Sequence, residues 1–201
     1  SGETGTGKEL VAQAIHDLGP NKKEPFLAIN CGALTDTLLQ SELFGYEAGA
    51  FTSARTRKLG LFEIAEDGTL FLDEIGDMSL NLQAKLLRAI EKKVIKRLGG
   101  IVDIPINARI ISATNKNIEE LIEEGLFRRD LYHRLNVVTI ELPPLKERSE
   151  DIITLADHFI EEFNFSFNKS VKKISRELRY FFLGYPWPGN VRELKNCIES
   201  M

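Results

Sequence analysis

Residues 2–9 read G-E-T-G-T-G-K-E, and no other stretch so narrows what this chain can fold into. Gly2, Gly7 and Lys8 satisfy the G-x-x-x-x-G-K spacing of a phosphate-binding loop, with an apolar-periodic run starting at once behind it. Glycines let the backbone curl until successive N–H groups point at phosphate oxygens, and a helix N-terminus adds a favourable field. A lysine then places a point charge on the terminal phosphates. Gly2, Glu3, Thr4, Gly5, Thr6, Gly7, Lys8 and Glu9 are therefore the candidate nucleotide-binding residues. Glu9 stands where the generic motif offers Mg²⁺ a Ser or Thr hydroxyl. In such folds a central strand leads into the loop, yet here the loop begins at the second residue. The expectation is a fragment of a longer protein that lacks this strand and binds ATP poorly by itself.

Periodicity supplies the rest of the fold. Apolar residues at helical spacing predict helices over 8–18, 35–44 and 80–90. Short apolar runs predict strands over 25–30, 69–73, 107–115 and 137–142, and alternation around Gly99-Gly100 suggests a hairpin over 92–106. Strands alternating with helices imply an α/β fold with a mostly parallel sheet. After Pro143-Pro144 only helical runs follow, over 152–163, 175–183 and 191–201. The expected organisation is an α/β core over 1–144 and a helical subdomain over 145–201.

Bulk properties exclude several classes. With 201 residues and 43% hydrophobic content the chain can bury a real core. A net charge of −4 argues against a surface built mainly to grip nucleic acid. No run approaches the roughly 18 apolar residues of a membrane span, and the chain reads as cytoplasmic. Cys31 and Cys197 lie far apart and read as free thiols, and the three histidines share no ligand spacing.

The run over 69–73 ends in acid, with Asp73 followed by Glu74. A solvated strand end also looks like this. Downstream of a phosphate-binding loop, the pair instead reads as a metal-holding Asp73 and a Glu74 that polarises the attacking water.

Further motifs follow in order: SELFGYE (41–47), GAFTSA (49–54), GTLFLDEI (68–75), ATN (113–115), FRRDLYHRL (127–135) and WPGNVREL (187–194). This series resembles the central AAA+ ATPase domain of bacterial enhancer-binding proteins, the activators of sigma-54 RNA polymerase, from end to end of the chain. The family's own phosphate loop ends in Gly-Lys-Glu, which accounts for Glu9. The resemblance implies a P-loop AAA+ core, without its first strand here, and a C-terminal helical lid. It implies ATP and Mg²⁺ as ligands, with Asp73 and Glu74 at the metal through nucleotide and water. Asn30 resembles the family's switch asparagine, which would hydrogen-bond Glu74 and turn it from the water. Asn115 resembles the sensor that reads the γ-phosphate, and Arg192 the lid residue that contacts phosphate. Arg128 and Arg134 resemble arginine fingers reaching a neighbouring subunit, which implies a ring, hexameric in the family. The adjacent Arg129 leaves open which arginine reaches across.

By the same resemblance Gly49, Ala50, Phe51, Thr52, Ser53 and Ala54 form the surface that touches sigma-54 and moves with ATP hydrolysis. Ser53 stands where the family usually has Gly, and serine penalises positive φ. Two functions are thereby implied: an ATP-driven remodeller of the sigma-54 holoenzyme, or a nucleotide-sensing regulator that no longer engages sigma-54. A sensor or receiver domain and a DNA-binding helix-turn-helix would lie outside this chain. Lys92, Lys93, Lys96 and Arg97 make a basic hairpin that suits solvent or, less readily, DNA or polymerase.

Overall fold

A computed structural model describes residues 1–52 and 54–201. They divide into two compact units, Glu9–Thr139 and Ser1–Lys8 with Ile140–Met201.

The first unit is built on a parallel sheet. Strands β1 (Phe26–Asn30), β2 (Thr69–Asp73) and β5 (Arg109–Ser112) lie in the order β1-β2-β5, all parallel. The central strand is buried on both faces, so its sequence is a continuous apolar run instead of an alternating one. Leu70 and Leu72 point into the main core with Leu39, Leu43, Phe62, Leu82, Leu86 and Leu131. Phe71 points the other way, onto Ala12 and Ala113. Helix α1 (Lys8–Asp17) carries Ala12, and its buried His16 meets the Thr69 hydroxyl at 2.9 Å through Nδ1.

Helices α2 (Asp36–Phe44) and α4 (Leu80–Lys92) cover the sheet where the spacing predicts helices, and the single turn α3 (Leu61–Ile64), which the spacing did not predict, adds Phe62 to the same core. Two short helices, α5 (Ile118–Glu123) and α6 (Arg129–Leu135), have no counterpart in the periodicity, being under two turns each. The hairpin is smaller than its alternation suggested: β3 (Val94–Ile95) and β4 (Ile104–Pro105) form two residue pairs only. Pro105 has no N–H to extend the ladder, and Ile101 and Val102 stand exposed at the tip.

The second unit packs α7 (Ser149–Phe167), α8 (Arg176–Gly184) and α9 (Asn190–Glu199) around Leu145, Ile152, Ala156, Phe159, Phe182, Trp187 and Leu194. The Trp187 indole N–H is satisfied by the Phe182 carbonyl at 2.8 Å, as burial of that ring requires. No helix among the described residues is long and apolar enough to cross a membrane.

Residues 137–142 do not form the strand that their apolar run predicted. A strand exists only where a neighbour satisfies its backbone groups, and Val137 and Val138 are each 80% exposed. Pairing begins only at Ile140, whose carbonyl accepts from the Ser1 amine at 2.7 Å while Leu142 N–H donates to the Ser1 carbonyl at 2.9 Å. That alternation is the hydrogen-bond pattern of a parallel pair.

Candidate functional site

The C-terminal ends of the parallel strands bring Asn30, Asp73, Glu74 and Asn115 of the Glu9–Thr139 unit together. Register sets Asn30 opposite Asp73, and the ladder continues through Ala113 N–H to the Leu72 carbonyl (2.9 Å), which brings Asn115 alongside. Asn30 Oδ1 accepts the backbone N–H of Gly32 and Ala33, each at 2.9 Å, so its amide nitrogen must face the other way. That nitrogen donates to Asp73 Oδ2 at 3.3 Å. The expected bond from Asn30 to Glu74 is therefore not the one present. Strand pairing places Asn30 beside Asp73, whereas Glu74 turns off the strand in a left-handed conformation, φ 51° and ψ 49°. Its Oε2 accepts the Asn115 backbone N–H at 3.2 Å. A carboxylate-bearing residue in that region costs about 1–3 kcal/mol, a strain that tends to collect at functional sites.

Asp73 Oδ1 is buried with no hydrogen-bond partner among the described residues. Among them, too, no group of three His, Cys, Asp or Glu could enclose a metal. A bare carboxylate oxygen suits Mg²⁺ well, since that ion is usually held by one or two carboxylates with phosphates and water completing its shell.

Cys31 follows Asn30 and is buried beside this cluster. Burial first, then Asp73, Asp77 and Glu74, push its thiol up to about 12. Because the folded value lies above the ordinary one near 9, the fold favours the neutral thiol. That contribution is whole below about pH 9 and is lost as pH climbs towards 12. Alkylation of Cys31 by iodoacetamide in the native protein should stay negligible at about pH 8.5, below that ordinary value. Rapid labelling there, with the protein still folded, would contradict this burial.

The phosphate-loop residues belong to the other unit, and residues 140–201 of that unit hold them in place. Gly5 has φ +80°, and a Cβ there would sit 2.3 Å from the Gly189 carbonyl, so only glycine fits. Gly7, at φ +100°, needs the same freedom without the crowding. Lys8 Nζ donates to the carbonyls of Gly2 (3.0 Å) and Glu3 (3.3 Å). Thr6 is buried, its hydroxyl donating to the Glu3 carbonyl at 2.8 Å, and Arg148 donates to the Thr6 carbonyl at 2.8 Å. Arg192 lies in the first turn of α9, where its backbone N–H reaches the Gly5 carbonyl at 3.3 Å while the residue itself stays exposed. Glu9 sits exposed in the first turn of α1.

Sequence reasoning missed Asn190 and Arg148 on this loop. An Asn after Gly in a turn-like G-N pair was the available signal, since Asn is among the residues most tolerant of positive φ.

Arg128 stands at the N-terminal cap of α6, and Arg129 and Arg134 lie within it. Arg128 forks onto Asp130 at 3.0 and 2.6 Å, which raises its already high pKa. Arg134 reaches Glu91 at 3.2 Å, and its side chain is 60% exposed. The backbone under Arg128 is fixed by Gln83, a further residue that periodicity could not single out. Gln83 is fully buried in α4, accepting from Arg128 N–H (2.8 Å) and donating to the carbonyls of Met78 (2.7 Å) and Leu126 (2.9 Å).

In the small-residue loop, Phe51 is 41% exposed and rests edge-on against Tyr46. The loop closes on itself through Gly49 N–H to the Ala54 carbonyl (2.7 Å) and Ala54 N–H to the Phe51 carbonyl (2.9 Å). Gly49, Ala50, Phe51, Thr52 and Ala54 thus share one turn, and Ser53 lies outside the described residues. Arg97 is not a solvated member of a basic hairpin. It is nearly buried between Glu63 and Glu47, its Nε 2.9 Å from Glu63 and a terminal nitrogen 2.7 Å from Glu47. Hydrogen bonds to Glu63 and Glu47 hold the guanidinium ionised. Glu47 is at the base of the Phe51 loop, so Arg97 ties that loop to α3 and to the hairpin.

Comparison with known proteins agrees with these features. Residues 1–141 match the family model of the "Sigma-54 interaction domain", and residues 146–201 that of the "AAA+ ATPase lid domain". The Nif-specific regulatory protein of Azospirillum brasilense is 54% identical over 98% of this chain, which spans 32% of that protein. The regulatory protein AtoC of Escherichia coli is 50% identical over 99% of the chain, which spans 43% of it. Crystal structures of NtrX from Brucella abortus superpose with TM-scores of 0.92 in complex with ADP and 0.91 in complex with ATP. Each is 38% identical, covering 98% of this chain and 43% of that one. This chain therefore belongs to the sigma-54 interaction family of AAA+ ATPase domains, with a parallel-sheet core and a C-terminal helical lid.

Proposed function

We propose that this chain is the motor of a sigma-54-dependent transcriptional activator, a Mg²⁺-dependent ATPase that works as a ring. The observation that carries the ATPase reading is the orphaned Asp73 oxygen beside Glu74 and Asn30, at the end of the central strand. Residues 2–8 cradle the phosphates through backbone N–H groups, with Lys8 exchanging its carbonyl partners for phosphate oxygens. Asp73 would hold Mg²⁺, with Glu74 beside it through water, and the ion would supply neutralisation of the phosphate charge. Glu74 accepts a hydrogen bond from the attacking water and orients it. Asn30 holds Asp73 in place through its amide, and Asn115 fixes the Glu74 carboxylate through its backbone N–H. Arg192 contacts phosphate from the lid. Arg128 and Arg134 serve the neighbouring subunit's nucleotide. The divisions of labour are a nucleotide core over 1–144 and a lid over 145–201. ATP hydrolysis that EDTA abolishes and Mg²⁺ restores tests this reading; hydrolysis indifferent to EDTA overturns it.

The Phe51 turn is the surface offered to sigma-54. An exposed aromatic among small residues costs solvation that a partner would recover, and such patches mark interaction sites. Phe51→Ala should leave ATP turnover within about twofold, since the ring packs on Tyr46 rather than on the acidic cluster, and abolish open-complex formation at a sigma-54 promoter. Wild-type levels of open complex from that variant would remove Phe51 from the coupling. Ser53, in place of the family's usual glycine, favours a second reading: a nucleotide-sensing regulator that does not engage sigma-54. DNA contact belongs to a helix-turn-helix outside residues 1–201, and the protein works in the cytoplasm.

A further inference from the structure

Asn190 is completely buried and left-handed at φ +53°, an unusual combination for a non-glycine residue. Both polar atoms of its side chain are engaged. Oδ1 accepts the Leu145 backbone N–H at 2.7 Å. Nδ2 donates both to Glu3 Oε2 at 2.9 Å and to the Thr4 carbonyl at 3.1 Å. The next two residues continue along the same loop, Val191 N–H (3.0 Å) and Arg192 N–H (3.3 Å) both donating to the Gly5 carbonyl. Arg148 takes the Thr6 carbonyl. Three successive carbonyls, those of Thr4, Gly5 and Thr6, are thus anchored on residues 148–192. In a trans peptide the C=O and the following N–H point in opposite directions. Anchoring those carbonyls therefore aims the N–H groups of Gly5, Thr6 and Gly7 away from the anchors, the arrangement a phosphate-binding nest needs, with the Thr6 N–H meanwhile making a long bond of 3.4 Å to the Glu3 carbonyl.

We propose that Asn190 is a positioning residue of the nucleotide site, which together with the Glu3 carboxylate sets the phosphate loop in its anion-binding shape. This rests on the reading of residues 2–9 as the phosphate-binding loop. The chemistry calls for asparagine specifically. The position needs an acceptor for Leu145 and two donors for Glu3 and Thr4, which aspartate cannot supply. Aspartate would also set a second carboxylate against Glu3.

The test compares Asn190→Asp, Glu3→Gln and the double variant in the full-length protein. Aspartate keeps the acceptor for Leu145, so the start of the helical unit stays capped. Glu3 is exposed, so its substitution cannot unfold the chain. Two measurements are made: amide hydrogen exchange over residues 5–8 without nucleotide, and calorimetric titration with ATP. Asn190→Asp should accelerate exchange in the loop and weaken ATP about 10-fold or more, the scale of one charge-assisted hydrogen bond. Glu3→Gln alone should cost no more than about threefold. In the double variant the Gln amide can donate to the carboxylate introduced opposite it, and both readouts should recover part of the way to wild type. A double variant no better than Asn190→Asp, or unchanged loop exchange in Asn190→Asp, overturns the proposal. Wild-type protein that shows the exchange coupling yet binds no ATP overturns the nucleotide reading instead.

Discussion

Replacing Arg134 with alanine should lower ATP turnover by about 10³-fold or more while leaving ATP affinity within about threefold. The size follows from the role proposed for it. A finger cancels charge that develops on the transferring phosphoryl group, and such an interaction is worth little in the ground state. Arg134 is better suited to leave its present contact than Arg128. It pairs with Glu91 through a single bond at 3.2 Å and its side chain is 60% exposed, whereas Arg128 is forked onto Asp130 by two bonds. Exposed single pairs are weak, so releasing Arg134 costs little. The experiment that isolates the finger is complementation. Arg134→Ala subunits mixed with Glu74→Gln subunits should recover turnover, because each supplies the group that the other lacks. Equal loss of binding and turnover in Arg134→Ala, or no recovery on mixing, would remove the shared site.

Glu74→Gln is the second large effect. Removing the group that orients the water should cost about 10²–10⁴ in turnover, with ATP affinity kept or improved because a negative charge near the phosphates is gone. Asp73→Asn should behave differently, weakening binding in the presence of Mg²⁺ more than in its absence. The contrast follows from the geometry: Asp73 presents a bare buried oxygen, while Glu74 steps off the strand in a left-handed turn that sets its carboxylate against Asn115. If both variants lost affinity and turnover alike, the division of roles between them would fail.

Much of this was legible in the residues themselves. The buried central strand reads directly as a run ending in acid, because a strand covered on both faces needs no alternation. The lid helices read from their stripes, although α7 runs on to Phe167, since a helix continues past its buried face where nothing breaks it. What escaped was set by tertiary neighbours. The apolar run at 137–142 carries strand propensity but forms none, because its backbone lacks a partner over most of its length. Arg97 looked like one of several hairpin cations until Glu47 and Glu63 closed on it from positions 50 and 34 residues away. Asn190 and Gln83 are polar residues made important only by burial, and no period or spacing reports burial of a single amide. Asn30 bonds Asp73 in place of the expected Glu74, because strand register, which one strand's sequence does not contain, decides what faces it.

The central claim is that ATP chemistry in this domain drives engagement of sigma-54, and capture of sigma-54 in defined nucleotide states tests it most directly. Full-length protein would be immobilised and offered sigma-54 with no nucleotide, with ADP, and with ADP plus aluminium fluoride and Mg²⁺ to mimic the transition state. Capture should be strong in the transition-state complex, weak in the other two, and lost from Phe51→Ala in all three. A wild-type protein that hydrolyses ATP normally yet captures no sigma-54 in any state would contradict the account and leave the nucleotide-sensing regulator in its place.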